Sequence, residues 1–203
     1  MPTAVTETAS RPALQDPPRK RWTRSEYAAA EEAGVFDRQR VELVDGELFV
    51  QMPKKRPHVA ALALLLEWFL KAFGGRRVNS AAPIDVAPED NPTNEPQTDL
   101  IVLKSSYSKI WTATPQPNDL ELVVEVADTT LAFDLTTKAA LYARAGIVEY
   151  WVLDVPGRRL IVHRDPRDGR YRSIVAYNEN ESVAPLAAPD SPLRVGDAFL
   201  AQD

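Results

Sequence analysis

Cysteine is absent from the chain, which rules out disulfides and thiolate metal sites and fits a reducing compartment. A long hydrophobic run is missing too. The most apolar segment, Val59 to Leu70, is broken by Glu67 and closed by Lys71, well short of the roughly 20 residues that span a bilayer. The first residues carry Arg11, Arg19, Lys20 and Arg21 among Pro12, Pro17 and Pro18, with no apolar stretch behind them. That is not the pattern of a secretory signal, and the expectation is a soluble, cytoplasmic protein with no membrane association. There is no excess of positive charge: 24 Lys and Arg stand against 29 Asp and Glu, a formal net charge of −5. This argues against coating nucleic acid through a general positive field. It leaves room for an acidic site rimmed by local basic clusters, and two are present, Lys54-Lys55-Arg56 and Arg76-Arg77, flanking one expected helix. They are candidate nucleic-acid contacts, with solvated helix-end charge as the plainer alternative.

With 203 residues, 44 % of them hydrophobic, the chain has enough apolar material for one sizeable core. Residues 1–21 are polar and proline-rich without periodicity and read as a disordered tail, leaving 22–203 as a single domain. Thr23-Arg24-Ser25-Glu26 is a capping box that starts a short helix ending at Gly34. Asp45-Gly46 between Arg40–Val44 and Glu47–Gln51 is a hairpin signal. Pro57 opens a helix from His58 to Phe73 that is apolar on nearly all sides, hence expected to be buried against a sheet. Strands follow over Arg77–Ala87, from Asp99 to Leu103 and from Leu120 to Ala127. After them come a helix over Thr130–Ala145, a strand over Tyr150–Leu153 and a closing hairpin, Arg159–Arg164 with Arg170–Tyr177, around Asp165–Gly169. Leu193 to Leu200 is expected to pack back as a terminal edge. The order predicts an α/β fold: a mixed central sheet flanked by helices, with an N-terminal helix plus hairpin and a C-terminal hairpin.

Glu125 is the residue that calls for a function. It interrupts the apolar run Leu122 to Val126, where an unpaired charge costs several kcal/mol to bury. Asp99 opens the expected strand before it. If the two strands are neighbours, about 4.8 Å apart, both carboxylates converge on one point. Hard oxygen ligands with water and a phosphate oxygen suit Mg²⁺ or Mn²⁺. A nearby lysine can position or help deprotonate an attacking water and offset charge on a phosphate. Asp134 and Lys138 lie four apart on the next helix, and an exposed ion pair is their simpler explanation. Glu42 is either a further ligand or a cross-strand charge. His58 either binds a phosphate at a helix start, holds Glu42 or merely caps, and Tyr142, Tyr150 and Trp151 read as packing residues.

The ordered set Val41–Glu47, His58, Asp99–Val102, Glu125–Asp128, Asp134, Lys138 and Tyr142–Asp154 resembles the PD-(D/E)XK nuclease superfamily, and more closely the Uma2 (DUF820) family of endonucleases. The resemblance implies a restriction-endonuclease-like sheet and a Mg²⁺- or Mn²⁺-dependent DNA endonuclease acting as a homodimer. It also implies Asp99 and Glu125 as metal ligands and catalytic residues, with Glu42 beside them and His58 and Asp134 in supporting places. Residue 127 is Ala127, so the strand lysine of Glu-x-Lys is missing, and the resemblance implies that Lys138 has taken its role. A catalytically silent member of the fold, binding nucleic acid or protein, is the alternative, and DNA is not separable from RNA as substrate.

Overall fold

The computed structural model describes residues 18–109 and 113–201. The expected tail lies outside them except for residues 18–21, which are exposed and irregular. The capping box forms as written. Glu26 N–H donates to Thr23 Oγ1 at 3.3 Å and Thr23 N–H to Glu26 Oε2 at 2.9 Å, starting α1 (Arg24–Glu32). Asp45 and Gly46 join β1 (Val41–Val44) to β2 (Glu47–Val50) with φ of 48° and 71°, the pair of left-handed residues that a type I′ turn requires. This hairpin is a sheet of its own. Its cluster of Tyr27, Val41 and Leu43 packs against Trp22 and Phe36, and Glu95 N–H tied to Leu43 O at 2.7 Å joins it to the rest.

The main sheet has six strands in sequence order: β3 (Val78–Pro83), β4 (Gln97–Leu103), β5 (Leu120–Ala127), β6 (Glu149–Asp154), β7 (Arg159–Arg167) and β8 (Arg170–Asn178). Four of its pairings are antiparallel and β5–β6 is parallel, which makes the sheet mixed, as expected. A parallel pair needs a crossover. Here it is helical: α3 (Leu131–Phe133), a π-helical turn (Asp134–Lys138) and α4 (Ala139–Arg144).

Alternation along β5 sends Leu122, Val124 and Val126 to one face and Val123 and Ala127 to the other. The first face is covered by α2 (Arg56–Phe73) through Ala61, Leu65, Phe69 and Phe73. Leu65 and Phe69 are fully buried, each worth about 1.5–3 kcal/mol. The opposite face meets Leu141, Tyr142 and Ala143 of α4. Glu125 points to that side.

Several boundaries depart from the sequence expectations. Helix α2 is buried along one stripe only, with Val59 and Leu70 exposed, because no layer lies outside it. Strand β3 stops at Pro83, whose ring removes a ladder donor. Strand β4 begins at Gln97, so Asp99 is its third residue. The closing hairpin runs on to a two-residue turn, Asp168-Gly169, both at positive φ. Finally, Leu193, Val195, Ala198 and Phe199 join the core under α2, and β10 (Leu193–Arg194) pairs with β9 (Ser182–Val183) rather than edging the main sheet. No helix among the described residues is long and apolar enough to cross a membrane.

Candidate active site

The β4–β5 ladder ends at the pair Leu100–Val124. Asp99 and Glu125 are the next residues along, and alternation puts both side chains on the α4 side of the sheet. Asp99 Oδ2 accepts from Val126 N–H at 2.8 Å, which fixes its carboxylate beside Glu125. Glu125 is 4 % exposed. Its Oε1 accepts from Lys138 Nζ and from Tyr142 Oη, both at 3.0 Å, while Oε2 has no hydrogen-bond partner among the described residues.

Lys138 meets three acceptors, as many as an ammonium has hydrogens. They are Glu125 Oε1, Gln97 O at 2.9 Å and Glu42 Oε2 at 3.0 Å. Glu42 Oε2 also accepts from Gln97 N–H at 3.0 Å, so Glu42 is neither an exposed cross-strand charge nor free of partners. The π turn accompanies this convergence. Ala139 N–H bonds Asp134 O, five residues back, in place of the usual four. Asp134 and Lys138 are both turned inward, each 3 % exposed, which overturns an exposed helical ion pair. Nor do they pair directly: Asp134 Oδ2 accepts from Thr130 Oγ1 at 2.6 Å.

A cleft of about 580 Å³ opens over Glu42, His58, Asp99, Glu125, Asp134 and Lys138, bringing all six to one place. Helix α2 delivers His58, which is buried but does not cap, since the N-cap is Lys55. Its Nε2 makes no hydrogen bond among the described residues and lies 3.6 Å from Asp99 Oδ1. Lys54 Nζ sits 2.5 Å from Asp99 Oδ1, and Lys55 Nζ 3.6 Å from Asp128 Oδ2. Arg56 is exposed. The structure does not bring Arg76 and Arg77 to the cleft. They lie beyond the far end of α2, about 27 Å away at 1.5 Å per residue, where Arg77 donates to Leu103 O at 2.7 Å.

Burial pushes the proton affinity of Glu125 well above the usual carboxylate range; Lys138 opposes this, while Asp134, Asp99 and Glu42 add to it. Burial likewise raises Asp134 to about 6. Asp99 behaves in the opposite way: burial resists its ionisation, but His58, Lys54 and the Val126 amide outweigh it and hold the group at about 2. Burial disfavours the Lys138 ammonium, yet Glu125, Glu42 and Asp134 overcome that and raise its affinity for the proton. At neutral pH Lys138 is therefore a committed donor.

Sequence reasoning missed Tyr142, read as packing, whose hydroxyl belongs to Glu125. Its spacing four residues after Lys138 was the available signal. It also missed Lys54 as the partner of Asp99, and nothing in a loop lysine announces that.

Seven carboxylates line the cleft, Glu31, Asp37, Glu42, Asp99, Glu125, Asp128 and Asp134, against four cations, Arg40, Lys54, Lys55 and Lys138. The acidic excess, the hard oxygen donors and the Lys54 cation already on Asp99 Oδ1 fit a divalent ion. No group of three or more His, Asp or Glu among the described residues is arranged to hold one. Asp99 and Glu125, with water completing the shell, would be the ligands, a set that suits Mg²⁺ or Mn²⁺.

The family model Uma2, described as "Putative restriction endonuclease", matches residues 24–195. A crystal structure titled as "a putative nuclease belonging to DUF820 from Anabaena variabilis ATCC 29413" shares the fold, with a TM-score of 0.60 and 14 % identity over 79 % of this chain and 90 % of that one. No curated protein matches the chain. The six-stranded mixed sheet and the extent of the family match lead to one assignment: the chain belongs to the Uma2 family.

Proposed function

We propose that the protein is a divalent-metal-dependent endonuclease that hydrolyses phosphodiester bonds of DNA. One observation carries the reading: a buried ammonium, Lys138, held by Glu125 and Glu42 on the floor of an acidic cleft beside Asp99. A structural ion pair needs one acid for one base, and this cleft holds more acid than its bases neutralise.

Asp99 and Glu125 would hold the ion. When bound, the ion offsets charge on the phosphate and lowers the pKa of water bound to it. Glu42 and the Gln97 carbonyl hold the Lys138 ammonium in place, and Tyr142 fixes Glu125 Oε1 from the other side. Held protonated, Lys138 cannot act as general base. Its part is to donate toward the phosphate oxygens or orient the attacking water, where positioned donors in a water-poor site are worth most. Glu125 Oε2, without a hydrogen-bond partner among the described residues, is the oxygen left to face the ion.

The test is nicking of supercoiled plasmid DNA with Mg²⁺ or Mn²⁺ present and after chelation. Cutting is expected with the metals only, and is expected to fall at least a hundredfold in Glu125→Gln and Asp99→Asn, with circular dichroism showing the fold retained. Cutting that survives chelation or both substitutions would overturn the proposal. A wild-type protein that binds DNA and Mn²⁺ without cutting would favour the catalytically silent reading.

A further inference from the structure

Lys54 is left without a task by the reading above. It sits between β2 and α2 with its ammonium on Asp99 Oδ1, and its side chain remains 34 % exposed. That contact is its one hydrogen bond among the described residues. Beside it, α2 starts in an unusual way. The N-cap Lys55 makes no side-chain capping bond and the first turn has no acidic residue, while Lys55 and Arg56 are both exposed there. A helix start carries partial positive charge and favours acidic neighbours, so basic ones are unfavourable until an anion arrives. His58 faces the same carboxylate: its imidazole is buried, lines the cleft and lies 3.6 Å from Asp99 Oδ1, and its Nε2 makes no hydrogen bond among the described residues.

We infer that Lys54 is a placeholder: a divalent ion arriving at Asp99 displaces its ammonium, and the freed side chain turns to a substrate phosphate at the uncapped start of α2. The inference rests on the metal-dependent reading. A divalent ion at about 2.1 Å from Asp99 Oδ1 would stand only about 4 Å from an ammonium held at 2.5 Å on the same oxygen, where the two positive charges repel. The ammonium gives way, because it carries one charge against the ion's two and its own side chain is already partly exposed to solvent. Lys54 then adds to the positive charge of Lys55 and Arg56 at the start of α2, a place that favours a phosphate. Metal and nucleic acid each favour the same position of Lys54, so each strengthens binding of the other by the same factor.

The experiment is calorimetric titration of Mn²⁺ into the wild type, Lys54→Met and Lys55→Met, paired with binding of a labelled DNA duplex with and without Ca²⁺. Lys54→Met is expected to bind Mn²⁺ about five- to tenfold more tightly than the wild type, and to lose a similar factor from the gain in DNA affinity that Ca²⁺ gives. Lys55→Met removes the same charge without touching Asp99 and is expected to leave Mn²⁺ affinity within about twofold. Equal Mn²⁺ affinity in wild type and Lys54→Met overturns the exchange and leaves the metal site standing. Equal tightening in both variants overturns it as well, because a general field would then be the cause. Mn²⁺ bound by none of the three proteins removes the metal-dependent reading, and this inference falls with it.

Discussion

Glu42 and Lys138 meet at 3.0 Å although one lies on the N-terminal hairpin and the other on the crossover helix. The pair fastens the hairpin over the sheet at the point where Asp99 and Glu125 converge. Both side chains are buried, and a buried ion pair is retained at some cost in desolvation. Such a pair is better explained by what it positions than by the stability it adds.

Removing Lys138 is expected to destabilise the protein as well as silence it. Lys138→Met leaves Glu125 and Glu42 without their cation in a closed environment, a loss of about 3–5 kcal/mol. Urea unfolding at pH 7.5 measures it. A loss under about 1 kcal/mol would mean that the ammonium is not held as described.

Tyr142→Phe deletes one donor to Glu125 Oε1 and leaves the ring in the core. A cost of about 1–2 kcal/mol is expected. The acid limb of the cleavage rate against pH is expected to move to higher pH, since the hydroxyl favours the ionised carboxylate. An unchanged profile would place the hydroxyl outside the working site.

Asp134 should make the protein more stable as acidity increases over a defined window. Its native pKa, near 6, exceeds the ordinary 3.8, so the native state binds the proton more tightly than the unfolded chain. The resulting penalty is fully present above about pH 6 and disappears as pH falls toward 4. Asp134→Asn is therefore expected to be more stable than wild type at pH 8, by on the order of 3 kcal/mol, with the difference vanishing near pH 4. Thermal unfolding across that range checks the sign.

Asp99 works in the reverse sense. Held at about 2 against an ordinary 3.8, it contributes stability above about pH 4 that is lost as pH falls toward 2. Asp99→Asn is expected to lie further below wild type at pH 6 than at pH 2, by about 2 kcal/mol. A constant gap would contradict the pairing with Lys54, His58 and the Val126 amide.

Much of this site was legible in the sequence. Glu125 stood out because a carboxylate inside an apolar strand has few innocent uses, and the bounds Leu120–Ala127 follow directly from the apolar run. Asp99 was legible as its neighbour, though not as the third residue of β4, because a strand start depends on where the partner strand begins. The inward turn of Asp134 and Lys138 could not be read from their spacing, and only the family resemblance pointed Lys138 at the site. Four-residue spacing gives the same signal on an exposed face and a buried one, and the π turn leaves no mark in residue type. Lys54 shows the same limit: its pairing with Asp99 is made by folding α2 against β4, a contact with no counterpart in local pattern.

That wide turn at Asp134–Lys138 also governs how the chain tolerates changes in length. Each residue of a helix swings the next by about 100°, so deleting Thr137 would close the turn to ordinary pitch. Tyr142 would stay seated on the sheet while Asp134 and everything before it rotated away from the cleft. A relative lacking one residue there could keep every charged group named above and still assemble a different centre.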